Sequence, residues 1–328
     1  MGYGPSIGKG VVSGMAGAAS IEKPQMAPGG ENKLFKVSVI IPTMNEPAIG
    51  RVVDDARKAL KHFDAEVIVV DKSTDDTARR AKKAGAIVVG QELSGYGDAY
   101  MTGFSLIAPD TDVVVMMDGD NTYDAYEIPM LIDPIIKGYA DLCLGNRFAR
   151  MEPGAMNARN RLGNKVITST LNVLYGLRLK DSQTGFRAIK KTALDTLELV
   201  DNGMPFASEM IIDARKKSLR IVEVPVTYRQ RIGEAKLKAY KDGPLILSLI
   251  IRMVRDYNPF AIFISVGGIM VLCSFVSGGF VVYEWLTTGV ITRLALTMLT
   301  AMLFLSGVQV ISFGLLADII LAALRKKR

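Results

Sequence analysis

The chain has 328 residues, 49% of them hydrophobic, and a formal net charge of +7. This length accommodates one sizeable domain and an additional segment. The two cysteines, Cys143 and Cys273, lie far apart in apolar runs, and His62 is the only histidine. The composition therefore argues against a disulfide framework and excludes a histidine-based metal cluster.

The first 33 residues are rich in Gly, Pro, Ala and Ser and have no sustained apolar period. Segments that cannot bury enough apolar surface stay unfolded. We therefore predict a disordered N-terminal tail over residues 1–33 and a folded chain from residue 34 onward.

Residues 34–241 are predicted to form one α/β domain in which short apolar strands alternate with helices. The predicted strands cover residues 36–42, 65–71, 86–90, 112–118 and 140–145, and the predicted helices cover residues 47–60, 75–85, 97–107 and 125–138. This alternation is typical of a mostly parallel sheet with both faces covered. The stretch GYGDA, residues 95–99, is interpreted as the start of a helix.

The C-terminal part of the chain contains two long uncharged runs, Phe260–Tyr283 and Leu294–Ala317. Each exceeds the roughly 20 residues that a helix needs to cross a bilayer core. We predict a two-helix transmembrane hairpin within residues 259–324, and an interfacial amphipathic helix before it over residues 242–258. Because basic residues flank the first run and end the chain as RKKR, both termini are expected in the cytoplasm.

Charged residues follow the ends of the predicted strands, where ligands of such sheets bind. The strand ends read PTMNE, DKSTDD, DGDNT and GNR. In DGDNT, Asp118 and Asp120 are two residues apart and point to the same side of an extended chain, while Gly119 permits a close backbone approach. Two converging carboxylates suit a hard cation such as Mg²⁺ or Mn²⁺, which also binds phosphate oxygens.

Other interpretations of this acidic stretch are a solvated turn, a calcium loop and a phosphatase motif. A calcium loop counted from Asp118 requires glycine at its sixth position and an acid at its twelfth. Those positions hold Tyr123 and Pro129, which excludes it. DGDNT also fits the Asp-x-Asp-x-Thr string of haloacid dehalogenase-like phosphatases. In those phosphatases the string lies on the first strand and an Asp-Asp pair comes later in the chain. Here it follows the fourth strand and no Asp-Asp pair comes after it. The phosphatase is kept as an alternative.

The ordered stretches VSVIIPTMNE, VIVVDKSTDDT, VVVMMDGDNTYD and LGNRF resemble family-2 glycosyltransferases with the Rossmann-like GT-A fold. The later stretches RLGNKVITSTLNVLYGLRLKDSQTGFRAIKK and VPVTYRQRIGEAKL resemble the polyprenyl-phosphate enzymes of that family, such as dolichol-phosphate mannose or glucose synthases. The resemblance covers residues 37–241, so residues 34–241 would be the catalytic domain. A C-terminal pair of transmembrane helices also occurs in that group.

The resemblance implies a set of contacts to the nucleotide-sugar donor. They are Pro42, Met44, Glu46, Asp71, Asp118, Gly119, Asp120, Arg231 and Lys236. Asp71 would contact the nucleobase, and Asp118 and Asp120 would bind the metal and the sugar diphosphate. Lys72 stands where many members have a second acid, and Thr122 stands where some relatives have an amide near the metal.

The acceptor implied by the resemblance is a polyprenyl or dolichyl phosphate. A phosphate of this kind carries a charge of about −1.5 to −2, so it is already a nucleophile and needs cations that position it near the donor. The candidate cations are Arg147, Arg161, Lys165 and Arg187, since arginine in particular suits bidentate phosphate contacts. The resemblance also implies that Asp181 orients the acceptor or acts as a base, and that Gln183 and Thr184 line the acceptor pocket.

The expected reaction is a single in-line displacement at the anomeric carbon with inversion, in which Asp120, Arg147 and Asp181 are the catalytic residues. Mg²⁺ or Mn²⁺ would assist the departing nucleoside diphosphate. UDP-glucose, UDP-N-acetylglucosamine and GDP-mannose are all compatible donors. The lipid bilayer is the expected partner, with homo-oligomers through the transmembrane helices as a further hypothesis, whereas nucleic acid is not expected because the basic residues concentrate near the membrane.

A processive polysaccharide synthase is the other enzymatic alternative. Such an enzyme normally adds a Gln-x-x-Arg-Trp signature and more membrane helices. The only tryptophan, Trp285, lies between the two apolar runs, so that signature is absent from this sequence.

Overall fold

The computed structural model describes residues 34–200, 203, 205–232, 247–248 and 259–325. The predicted N-terminal tail, Lys236 and most of the predicted interfacial helix lie outside the described residues. Within them, the strands are β1 Lys36–Thr43, β2 Asp64–Asp71, β3 Ile87–Gly90, β4 Val113–Met116, β5 Leu142–Met151, β6 Arg187–Lys190 and β7 Ile221–Tyr228. The helices are α1 Ile49–Ala59, α2 Thr77–Lys83, α3 Tyr96–Phe104, α4 Ile128–Ile136, α5 Ala158–Tyr175, α6 Lys191–Leu194, α7 Phe206–Lys216, α8 Pro259–Thr288 and α9 Leu294–Arg325.

The strands form one sheet in the order β3-β2-β1-β4-β6-β5-β7. Strand β6 runs antiparallel to its neighbours β4 and β5, and the remaining neighbours pair in parallel. The predicted mostly parallel α/β fold is therefore confirmed. Strands β6 and β7 were not among the predicted strands.

Both faces of the sheet are buried, as expected for parallel strands covered by helices. Successive residues of a strand point to opposite faces, so Val39 and Ile41 of β1 pack in one apolar cluster with helices α1 and α4. Ile40 packs in the other cluster with residues of α3 and α7. The central strands therefore consist almost entirely of apolar residues and deliver their polar residues at their ends.

Strand β5 contains a register shift in its pairing with β7. Residues 142–146 pair with residues 221–225, and pairing resumes between Arg150 and Thr227. Residues 147–149 therefore face only Val226, which is the geometry of a bulge. A bulge bends the strand and takes its residues out of the ladder. The backbone N–H of Arg147 accordingly donates to Asp181 Oδ2, at 3.1 Å.

Helices α8 and α9 are long and apolar enough to cross a membrane over Phe263–Thr288 and Leu294–Ile320, each with a mean hydropathy of 2.0. The two helices pack closely against each other. A Cβ atom added at Gly267 would lie 2.6 Å from the carbonyl oxygen of Gly307, so glycine at this position permits the close approach that is common between membrane helices.

Candidate active site

The carboxyl ends of β2, β1 and β4 lie side by side, because these three strands are parallel neighbours. Asp71 ends β2 and accepts hydrogen bonds from Thr43 Oγ1 at 2.6 Å and from Ser73 Oγ at 2.5 Å. Asp118 and Asp120 follow β4 at the same edge. The structure thus brings together three of the predicted donor-binding carboxylates.

Asp118 lies partly exposed beyond the end of β4. The hydroxyl of Tyr96 donates a hydrogen bond to Asp118 Oδ1 at 3.2 Å. Burial, followed by repulsion from Asp120, raises the pKa of Asp118 to about 7, although Arg147 and Arg231 act in the opposite direction. The charged form of this carboxylate is therefore disfavoured in the free protein.

Asp120 is only 4% exposed. Its Oδ1 atom accepts hydrogen bonds from the backbone N–H of Thr122 at 3.0 Å and from the Thr122 hydroxyl at 2.6 Å. Its Oδ2 atom lies 3.3 Å from Arg231 Nε, and Arg231 Nη2 donates to Glu46 Oε1 at 2.8 Å. Arg231 therefore joins two predicted donor contacts, and Thr122 orients Asp120.

The residues at this edge fit a Mg²⁺ or Mn²⁺ ion that is shared with a bound diphosphate. The described residues include no group of three or more His, Cys, Asp or Glu that could hold a metal ion by themselves. Mg²⁺ is usually held by one or two carboxylates together with substrate phosphates. Asp118 and Asp120 provide that number of carboxylates, and the raised pKa of Asp118 reflects negative charge that a cation would offset.

The remaining predicted donor residues surround these carboxylates in different ways. Met44 is exposed, Pro42 is half-buried and Glu46 is buried. A Cβ atom at Gly119 would lie 2.9 Å from Thr43 Cγ2, so the glycine allows the acidic turn to lie against the end of β1. Lys236 lies outside the described residues.

Arg147 and Asp181 form a buried, bidentate ion pair. Arg147 Nε donates to Asp181 Oδ2 at 2.6 Å and Nη2 donates to Oδ1 at 2.8 Å, while Asn164 Nδ2 donates to Oδ1 at 2.8 Å. Burial opposes the ionisation of Asp181, but Arg147 and these hydrogen bonds outweigh it and lower the pKa of the carboxylate. The Asp181 carboxylate, with both oxygens bonded to Arg147, is better placed to position Arg147 than to abstract a proton.

Two further residues hold this pair in place. Glu223 on β7 accepts hydrogen bonds from the backbone N–H groups of Lys180 and Asp181, each at 2.8 Å. The guanidinium of Arg147 lies 5.3 Å from the centroid of the Tyr228 ring, a cation–π contact. The guanidinium of Arg147 is therefore fixed from both sides.

Arg187 begins β6 opposite Met116, at the edge of the sheet where β4 ends, but its side chain points into the protein rather than toward a ligand. Its side chain is 1% exposed, and its guanidinium donates to the carbonyl oxygens of Thr184 at 2.8 Å, Ser182 at 3.0 Å and Ala207 at 2.8 Å. These contacts fasten the loop before β6 to the start of α7. Because its side chain is buried and bonded to three carbonyl oxygens, Arg187 does not fit the phosphate contact expected from the sequence.

Replacing Arg187 with leucine is expected to destabilise the domain by about 3 kcal/mol or more, because three buried carbonyl oxygens lose their donor. Thermal unfolding of the full chain in detergent, followed by circular dichroism, measures the change. Arg215→Leu is the matched control, since Arg215 Nε also donates to a carbonyl oxygen, that of Tyr175 at 3.0 Å, but is exposed. Equal losses in both variants would contradict this assignment.

Arg161 and Lys165 lie exposed on α5, one turn apart. The Arg161 guanidinium is 5.7 Å from the centroid of the Phe148 ring, which places it beside the β5 bulge. Asn164, on the buried face of the same helix, reaches Asp181. Helix α5 therefore exposes both cations on one side and contacts the Arg147–Asp181 pair through Asn164 on the other.

Gln183 and Thr184 take part in a polar network behind that pair. Gln183 Nε2 donates to the hydroxyls of Ser182 and Ser208, each at 2.9 Å. The Thr184 hydroxyl lies 3.4 Å from that of Tyr123. Sequence reasoning missed Tyr96, Asn164 and Glu223, whose partners lie 17 to 43 residues away in the chain.

A mostly parallel sheet that carries a carboxylate pair just beyond a buried strand is the arrangement expected of a GT-A glycosyltransferase, and comparison with known proteins agrees with it. The family model for glycosyl transferase family 2 matches residues 38–198. The glycosyltransferase AglJ of Haloferax volcanii is 34% identical over 298 residues, which are 89% of this chain and 95% of that protein. The chain belongs to glycosyltransferase family 2.

Two further Haloferax volcanii proteins are similar to this chain. A dolichyl-phosphate hexose transferase is 36% identical over 223 residues, 67% of this chain and 94% of that protein. A low-salt glycan biosynthesis hexosyltransferase is 39% identical over 212 residues, which are 63% of this chain and 51% of that protein. The match thus spans about half the length of the latter relative.

Solved structures share the fold. Glucosyl-3-phosphoglycerate synthase from Mycobacterium tuberculosis, in complex with Mn²⁺, uridine diphosphate and phosphoglyceric acid, superposes with a TM-score of 0.54 at 22% identity. The superposition covers 68% of this chain and 78% of that one. The same enzyme has also been crystallised with Mg²⁺ and uridine diphosphate, and that structure gives a TM-score of 0.53.

Proposed function

We propose that this glycosyltransferase moves a hexose from a nucleotide sugar to a membrane polyprenyl phosphate, with inversion at the anomeric carbon. The observation that carries the proposal is the meeting of an acidic pair and two arginines at one sheet edge. Arg231 Nε lies 3.3 Å from Asp120 Oδ2, and the positive charge of Arg147 acts to lower the pKa of Asp118. A relative that is 36% identical is named a dolichyl-phosphate hexose transferase, which supports the same acceptor class.

The donor side is formed by Asp71, Asp118, Asp120, Glu46 and Arg231. Asp71 stands at the end of β2, where the nucleoside would lie, and Asp118 and Asp120 would hold a divalent metal with the diphosphate. When bound, Mg²⁺ or Mn²⁺ supplies Lewis-acid stabilisation of the leaving nucleoside diphosphate. Arg231, already beside Asp120, would turn to the same phosphates.

The acceptor side is organised by Arg147. Its guanidinium is orientated by both oxygens of Asp181, and its remaining donor capacity would bind the lipid phosphate. An ionised phosphate is itself the nucleophile, so its oxygen displaces the nucleoside diphosphate without a protein base. Positioning two anionic groups for reaction is the main task of the protein in such a transfer.

The membrane side of the proposal rests on α5 as well as on α8 and α9. The outer face of α5 exposes Leu162 by 63%, Val166 by 49% and Val173 by 81%, with Arg161 and Lys165 beside them. An exposed apolar stripe flanked by cations fits a bilayer surface with anionic headgroups. We propose that α8 and α9 anchor the chain and that the active site faces the bilayer from the cytoplasm, with both termini on that side.

The test is a transfer assay on purified full-length protein in detergent. Polyprenyl phosphate and Mn²⁺ or Mg²⁺ are supplied with labelled UDP-glucose, UDP-N-acetylglucosamine or GDP-mannose. We expect label from one donor to enter the organic phase, and chelation or Asp120→Ala to abolish the transfer. NMR of the product should show the anomeric configuration opposite to that of the donor.

The same assay separates the alternatives. Soluble polymer without labelled lipid would favour a processive synthase. Release of phosphate without sugar transfer would favour a phosphatase. Labelled lipid that forms equally well in Asp120→Ala would contradict the assigned role of the carboxylate pair.

A further inference from the structure

The loop between β3 and α3 is held by Lys72, which follows the end of β2. Lys72 Nζ donates to the carbonyl oxygens of Glu92 at 3.2 Å and Leu93 at 2.8 Å, and to Ser94 Oγ at 2.8 Å. An ammonium group has three donors, so these contacts engage all of them. Lys72 therefore serves this loop rather than a bound nucleotide.

The end of the same loop determines where helix α3 begins. Gln91 Nε2 donates to the carbonyl oxygen of Gly95 at 2.8 Å. Gly95 has φ +144°, a value that L-residues rarely adopt, and Tyr96 is the first residue of the helix. A Cβ atom at Gly103 would lie 2.4 Å from Ile40 Cγ2, so the helix packs directly on β1.

The ring of Tyr96 is fixed by aromatic packing. It meets the ring of Tyr100 edge-on, with centroids 5.0 Å apart, and Tyr100 in turn stacks on Phe206 at 5.6 Å. In this orientation the Tyr96 hydroxyl donates to Asp118 Oδ1 at 3.2 Å. On the other side, a Cβ atom at Gly185 would lie 2.4 Å from Asp118 Oδ2. The carboxylate is therefore confined between a hydroxyl and a glycine backbone.

We propose that Tyr96 is a positioning residue for Asp118 and that Lys72 acts through Tyr96 by holding the loop that precedes it. The inference rests on the proposed role of Asp118 in binding a divalent metal with the donor diphosphate. Under this proposal, Lys72, at a position where many relatives have an acid, holds the loop that positions Tyr96. Substituting a residue that orients a metal-binding side chain typically lowers the affinity for the metal by about 10- to 100-fold.

The experiment measures Mn²⁺ binding to the full chain in detergent, in the presence of UDP or GDP, by the electron paramagnetic resonance signal of free Mn²⁺. Tyr96→Phe is expected to weaken Mn²⁺ binding about tenfold and to leave the thermal midpoint near that of the wild type. Tyr100→Phe is the matched control, since its hydroxyl lies 3.4 Å from that of Tyr96 and it lies on the same helix. Its affinity for Mn²⁺ should be unchanged.

A double variant tests the connection between the two residues. Lys72→Met alone should weaken Mn²⁺ binding by less than Tyr96→Phe does. The double variant, Lys72→Met with Tyr96→Phe, should bind Mn²⁺ no more weakly than Tyr96→Phe alone. The two losses should not add, because Lys72 acts through Tyr96. Unchanged binding in Tyr96→Phe, or additive losses in the double variant, would overturn the inference while the proposed function stands. Absence of Mn²⁺ binding in the wild type would overturn both.

Discussion

Asp118→Asn is expected to raise the unfolding temperature of the metal-free protein and to lower sugar transfer about a hundredfold or more. Burial and the neighbouring Asp120 disfavour the charged carboxylate and raise the pKa of Asp118 to about 7. Asparagine removes that charge and keeps an oxygen that accepts the Tyr96 hydrogen bond. Each kcal/mol gained corresponds to about 2–4 °C in a domain of this size.

The measurement is thermal unfolding in EDTA at pH 8, where the wild-type carboxylate is charged, together with the transfer assay in Mn²⁺. Asp124→Asn is the control of opposite sign, because Asp124 forms an ion pair with Arg229 that the substitution breaks. The control should unfold at a lower temperature and retain transfer. A lower unfolding temperature in Asp118→Asn would mean that its carboxylate stabilises the free fold.

Asp181→Asn is expected to raise the KM for the lipid phosphate and to lower kcat/KM about a hundredfold, with donor affinity unchanged. The carboxylate fixes Arg147 through two hydrogen bonds at 2.6 and 2.8 Å, whereas an asparagine turns an amide N–H₂ toward one of the guanidinium donors. Removing one partner of a buried pair also costs about 3–5 kcal/mol of stability. The assay should therefore be run well below the unfolding temperature.

The split between kcat and KM decides what Asp181 does. A positioning residue affects capture of the acceptor, so KM for polyprenyl phosphate rises while Mn²⁺ and UDP or GDP still bind. Loss of kcat with an unchanged acceptor KM would instead make Asp181 a base. Asn164→Ala is the milder control, since it removes one hydrogen bond to Oδ1 at 2.8 Å and leaves the ion pair.

The positions of the proposed donor carboxylates could be predicted because they follow from local pattern. Buried parallel strands are continuous apolar runs, so the polar residues that follow them mark the edge of the sheet. This pattern pointed to Asp71, Asp118 and Asp120. In the structure Asp71 is the last residue of β2, and Asp118 and Asp120 follow β4, at the same edge of the sheet. The interpretation of GYGDA as a helix start is also confirmed, because α3 begins at Tyr96.

The proposed acceptor side depends on contacts that no local pattern contains. Arg187 was a candidate phosphate contact in the sequence, yet its partners are three buried carbonyl oxygens. Asp181 meets Arg147 across 34 residues. Strand β6 has only four residues, and its antiparallel placement depends on the neighbours β4 and β5 rather than on its own composition.

The bulge in β5 makes the residues next to Arg147 independent of the pairing of the sheet. Pairing with β7 is complete before the bulge and resumes after it, so Phe148 and Ala149 contribute little to the ladder. Phe148 carries the Arg161 guanidinium, and Ala149 is exposed. Substitutions at these two residues can therefore alter the surface beside Arg147 without changing how the strands align.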